Sequence, residues 1–124
     1  MKVLLSIKPE FAEKIFNGEK LFEFRKVIFK NKDIKKIVVY ESSPVCKVIG
    51  EFEIETIISK EINILWQETK CQAGISENFF FSYFSDRLIG HAIKVKNSKK
   101  YECPRRLDVE FGIRPPQSFV YLNN

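Results

Sequence analysis

The 124-residue sequence predicts a β-rich α+β fold, a small mixed β-barrel with short helices covering its ends. Three observations point there. Extended segments outnumber helical ones, in the order β-α-β-β-β-α-α-β-β. Twelve Phe, four Tyr and one Trp supply large, rigid side chains of the kind β cores use. The regular βαβ alternation of a doubly wound sheet is absent. The chain reads as one domain, residues 1–124, long enough to bury a core.

Residues 2–8 form the first strand, with Val3, Leu5 and Ile7 on one face and Ser6 and Lys8 on a more polar one. Pro9 opens a helix, because its fixed φ suits the first turn and its missing N–H is not needed there. Phe11, Ala12, Ile15 and Phe16 give that helix its apolar stripe, and Gly18 ends it in a left-handed cap. A strand over about 20–26 follows, with Phe22 and Phe24 inward and Leu21, Glu23 and Arg25 outward. Residues 35–41 make a β-branched strand that stops at Ser42-Ser43-Pro44. Residues 46–58 alternate most regularly, with Glu51, Glu53 and Glu55 on one face, and Gly50 inside them signals a bulge or a close backbone approach.

From Glu61 the period becomes helical through Ile62, Leu65 and Trp66. Cys71 to Gly74 break it, and Ser76-Glu77 cap a second helix carrying Phe79, Phe80, Tyr83 and Phe84, which read as core. A strand over about 87–97 leads to a turn at Asn97-Ser98 and an extended return to Cys103. His91 reads as a hydrogen-bonded barrel residue. A helix-turn-helix over 61–85 is disfavoured, because its second helix shows aromatics where a recognition helix shows polar side chains.

Net charge is +5. Residues 1–60 carry 12 basic and 9 acidic residues, 61–90 carry 2 and 4, and 91–124 carry 7 and 3. Two basic ends around an acidic middle suit an anionic partner if the ends meet in space. No apolar run approaches the roughly 20 residues of a membrane span, and the N-terminus lacks a signal-peptide pattern, so no membrane partner is expected. Three separated cysteines and one His exclude a disulfide framework or a zinc-ligand spacing, so no metal and no cofactor are expected, in a cytoplasmic, reducing setting. Phosphate-binding Gly-rich loops and nucleophile elbows are also missing.

The candidate chemistry lies in Lys20, Glu23 and Arg25. Its spacing admits an ordinary ion pair on a solvated strand face, or the wall of a polar cleft in which Arg25 clamps a phosphate or base edge. Ser42 and Ser43, at a strand end, offer hydroxyls and free N–H groups to a ligand, or form a plain turn. Lys94, Lys96, Lys99 and Lys100 read as a solvated edge.

Four features together resemble the ASCH domain family, a branch of the PUA-like barrels. They are Leu5-Ser6-Ile7-Lys8-Pro9-Glu10 entering a helix, Gly18-x-Lys20-x-x-Glu23-x-Arg25, Ser42-Ser43-Pro44 before Val48-Ile49-Gly50-Glu51-Phe52, and the tail Pro115-Pro116-Gln117-Ser118-Phe119. The resemblance implies a cleft beside a barrel and a role in binding RNA, single-stranded nucleic acid or a modified nucleoside. It places Lys20, Glu23 and Arg25 at the cleft, with Lys8, Ser42, Ser43, Gln117 and Ser118 as neighbours. In that reading Arg25 and Lys20 engage phosphate or a base, Glu23 orients Arg25 or reads an exocyclic amine, and Arg25→Ala weakens binding without unfolding a monomeric protein. The alternative is a small hydrolase of RNA or of an acylated nucleoside, using Lys20 and Glu23. In the related N4-acetylcytidine amidohydrolases a threonine stands where this chain has Glu23, which removes the hydroxyl nucleophile, and Glu68 is one position for their glutamate. A third reading is a protein-interaction module in transcription regulation.

Overall fold

The computed structural model describes residues 1–123. In chain order it contains β1 (Lys2–Ile7), α1 (Pro9–Phe16), β2 (Phe22–Arg25), β3 (Lys36–Glu41), β4 (Lys47–Glu61), α2 (Ile62–Thr69), a single 3-10 turn (Lys70–Gln72), α3 (Glu77–Tyr83), β5 (Ile89–Arg105), α4 (Leu107–Phe111) and β6 (Phe119–Leu122). Six strands form one mixed sheet in the order β2-β5-β4-β3-β1-β6. β1 runs parallel to β3, and the remaining pairs are antiparallel. The β-rich α+β class matches the sequence expectation. The sheet is not closed into a barrel, since β2 and β6 remain its two edges.

Local signals explain most elements. Pro9 and Glu10 open α1, and Gly18 stands at φ +88°, where a side chain would be strained. The Ser76 hydroxyl accepts from the Phe79 N–H and caps α3. The expected break at Asn97-Ser98 is not a turn. Asn97 adopts a left-handed φ of 50°, and the β4–β5 register steps from Glu51–Lys99 to Glu53–Lys96, so two residues bulge opposite one. One 17-residue strand therefore replaces the two expected segments.

The sheet is buried on both faces near its centre. Val3, Leu5 and Ile7 pack with Ile37, Val39, Phe52 and Ile93 beneath α1. Leu4, on the face read as polar, is fully buried with Val38, Val48 and Leu107 beneath α4. A third cluster joins Phe22 and Phe24 to α2 and α3 through Leu65, Trp66, Phe80 and Phe84. His91, half-buried on β5, shares a 2.7 Å hydrogen bond with Ser59 Oγ at the paired position of β4. Among the described residues no helix is long and apolar enough to cross a membrane.

Gly50 is the close approach its place in β4 implied. A Cβ there would lie 2.5 Å from the Lys99 carbonyl oxygen and 2.7 Å from the Phe16 ring. The first neighbour is backbone and cannot swing away. Gly50→Ala is expected to cost about 1–3 kcal/mol in urea unfolding, and a change within experimental error would contradict this packing.

Candidate functional site

The open seam of the sheet is where the candidate residues meet. Arg25, near the end of β2, reaches across it. One guanidinium nitrogen donates to Ser6 O (3.3 Å) and Glu23 Oε2 (3.0 Å), and the other donates to Ser118 O (3.2 Å) and Ser118 Oγ (2.9 Å). A single side chain thus ties edge strand β2 to β1 and to the segment entering β6. The Arg25 and Glu23 side chains are only 12% and 8% exposed. The solvated strand face of the sequence reading is therefore a buried, hydrogen-bonded one. Both terminal nitrogens of Arg25 donate to the protein, which makes the side chain a strut.

Beside this strut lies a cavity of about 250 Å³. Ser6, Ile7 and Lys8 of the β1 end line one side, and Glu23, Phe24 and Arg25 of β2 line the other. Phe11, Phe79, Tyr83 and Ile75 add an apolar wall, and Gln117 closes the rim. Because β2 is an edge strand, side chains from both of its faces reach this space.

Lys20 is the most unusual lining residue, with 2% of its surface exposed. Its N–H donates to Lys14 O at 3.0 Å, which completes the turn begun at Gly18. The connection between α2 and α3 then folds over its side chain. Gly74 permits this, since it sits at φ +69° and a Cβ on it would lie 2.5 Å from Lys20 Cβ. Lys20 Nζ donates to Ala73 O at 3.0 Å and stands 4.6 Å from the centre of the Phe24 ring. Burial pushes the ammonium down from its ordinary value to about 8, the Glu23 carboxylate opposes this, and Lys14 adds to it. Lys20 makes no ion pair among the described residues, because Glu23 is engaged by Arg25.

Of the sequence-derived candidates, Lys8, Lys20, Glu23, Arg25 and Gln117 share this cavity. Ser42 and Ser43 line an adjoining one, together with Ser6, Lys8 and Gln117. Ser118 lines neither of these and instead holds Arg25. Glu68 lies on α2, where it pairs with Lys60 at 2.6 Å. The wall residues Phe11, Phe79 and Tyr83 were missed. The sequence reads Phe79 as core, yet it is 41% exposed and meets Phe11 edge-on at 5.3 Å. Helical phase carries the signal, since Phe80 and Phe84 share one face of α3 while Phe79 and Tyr83 share another. The Glu51, Glu53 and Glu55 stripe is held by Lys36, Tyr101, Asn97 and Lys94 away from the cavity.

No family model matches the sequence. The chain is 31% identical over 121 residues to large ribosomal subunit protein uL22 of Ureaplasma parvum, covering 97% of this chain and 39% of that protein. It therefore spans about two fifths of the length of that relative. It is 30% identical over 125 residues to the ASCH domain-containing ribonuclease of Zymomonas mobilis, covering 98% of this chain and 84% of the relative. The crystal structure of ASCH from Zymomonas mobilis superposes with a TM-score of 0.87 at 29% identity, covering 98% of this chain and 87% of that one.

Proposed function

The chain belongs to the ASCH domain family, and from that premise we propose that it binds RNA by taking an unstacked base into the cavity over Lys20 and Glu23. One observation carries the reading. Lys20 is a buried cation with one hydrogen bond to the protein, and it lines a cavity whose other walls are aromatic. An unpaired buried charge costs stability, so its place in a cleft is that of a group kept for a ligand. Phe11, Phe79 and Tyr83 offer faces and edges for stacking a base, Lys20 offers N–H donors and Glu23 an acceptor for the base edge. A volume of about 250 Å³ is small for a ligand site and suits one flat ring system. The relative from Zymomonas mobilis is a ribonuclease, which supports RNA as the polymer. In this reading the protein acts as a monomer in a reducing compartment, a setting favoured by three cysteines in the sequence without a paired spacing.

The test is the affinity of wild-type protein and Phe79→Ala for single-stranded RNA at fixed salt. Stacking on an aromatic contributes about 1–3 kcal/mol per base, so Phe79→Ala is expected to weaken binding about tenfold with little loss of stability. Unchanged affinity in that variant would remove the stacking wall from the account.

A second reading, RNA hydrolysis at the same cavity, is favoured by the ammonium of Lys20 lying at about 8. A neutral amine there accepts a proton from an attacking hydroxyl. The rate would then rise about tenfold per pH unit below 8 and level off above it, and Lys20→Arg, which stays protonated, would abolish it. A flat profile from pH 6 to 9 would sink this mechanism. Acyl transfer through a serine is disfavoured, because the one aliphatic hydroxyl lining the cavity, that of Ser6, donates to Pro116 O at 2.6 Å.

A further inference from the structure

Two further cavities adjoin, in turn, the one over Lys20. A second cavity, of about 440 Å³, shares Ser6, Lys8 and Gln117 with it. A third, of about 260 Å³, shares Tyr40, Cys46 and Pro115 with the second. Shared lining residues set the three hollows side by side in series. Cations punctuate them, with Lys8 at the first junction and Lys47, Arg106 and Arg114 at the far end. Lys8, Lys47 and Arg114 form no ion pair among the described residues. Asp108 is the one acid lining the second and third cavities, and Arg106 holds it at 2.7 Å.

We propose that the three hollows join into one groove, a track for single-stranded RNA of about three nucleotides, one per cavity, running from the base over Lys20 past Ser42 and Ser43 to Lys47 and Arg114. The proposal rests on the RNA reading above and specifies its ligand as a chain rather than a free nucleoside. Unpaired cations along a concave path are the complement of a phosphate backbone, which exchanges its condensed counterions for them. The middle cavity carries the groups a ribose needs. The side chains of Ser42, Ser43 and Gln117 have no hydrogen-bond partner in the protein among the described residues, and all three are able to pair with a 2′-hydroxyl. A duplex is a poor occupant, since its bases are stacked and unavailable to the Lys20 end.

The experiment compares the four nucleoside 5′-monophosphates, a mixed-sequence RNA hexamer and the DNA hexamer of the same sequence, over a range of salt. Wild-type protein is expected to bind the RNA hexamer at least tenfold tighter than any mononucleotide. In the Lys47→Ala/Arg114→Ala variant the ratio of hexamer to mononucleotide affinity is expected to fall about tenfold. Its slope of log affinity against log salt should be shallower by about 1.4, two contacts at about 0.7 each. Lys47→Glu/Arg114→Glu should enlarge both effects, and thermal melting checks that both variants are folded. Mononucleotide binding with no gain from length, or an unchanged ratio in both variants, overturns the track while leaving the base cavity standing. Equal affinity for the DNA hexamer overturns the ribose contacts. Absence of binding by any probe overturns the track together with the reading beneath it.

Discussion

Arg25→Ala is expected to destabilise the protein by about 3–5 kcal/mol, with weaker RNA binding as a consequence rather than as the primary effect. The guanidinium is the tie between β2 and β1, and its removal strands the Glu23 carboxylate, which is 8% exposed and has no other ion-pair partner among the described residues. It also leaves Ser6 O and Ser118 O without these donors. Most of the cost is the stranded charge, so Glu23→Gln placed in the Arg25→Ala background should recover part of the loss. Arg25→Lys should not restore stability, because an ammonium cannot reach four acceptors set as a fork. Urea unfolding of the four proteins measures this. A loss below 0.5 kcal/mol for Arg25→Ala would return Arg25 to the role of a free phosphate clamp (a surface substitution typically costs about that little).

Lys20→Met is expected to make the protein more stable at pH 7 while removing RNA binding. Folding lowers the Lys20 ammonium from the ordinary 10.5 to about 8. Between those two values the unfolded chain holds more protons than the folded one, so wild-type stability rises with pH across that window. Below 8 the whole penalty of the buried charge applies, about 3 kcal/mol for a displacement of this size at a nearly unexposed residue. Losing the bond to Ala73 O gives back about 1 kcal/mol. The net gain for Lys20→Met is therefore about 1–2 kcal/mol at pH 7, shrinking toward zero or below by pH 10. Denaturation of both proteins at the two pH values reads it out. A variant that is less stable at pH 7 and still binds RNA would make Lys20 a structural residue.

These two residues also mark where the sequence stopped being informative. The turn at Gly18, the helix opened by Pro9 and the cap at Ser76 depend on neighbours within four positions, and each appears where local chemistry put it. The burial of Lys20 depends on the connection around Gly74, more than 50 residues away in sequence. The engagement of Arg25 depends on Ser118, 93 positions away. Spacing alone therefore showed a charged strand face and could not show that the face is covered. The short elements α4 and β6, of five and four residues, carry too few positions to display a period. The resemblance brought Lys8, Lys20, Glu23, Arg25 and Gln117 to one place without separating their roles. The geometry shows Arg25 bonded to Ser6, Glu23 and Ser118 at the cavity wall, with Lys8, Lys20 and Gln117 lining the cavity beside it.

The most direct measurement is on Lys20 itself. Protein labelled with carbon-13 at lysine Cε lets the Lys20 resonance be followed by NMR through a pH titration, with and without a saturating RNA hexamer. In free protein Lys20 is expected to titrate near 8. With RNA bound, acceptors on the base edge should move its resonance and raise its midpoint, while the chemical shift of Lys60, paired to Glu68 on α2, is unchanged. A Lys20 resonance that is unmoved at saturation would contradict the claim that RNA enters this cavity.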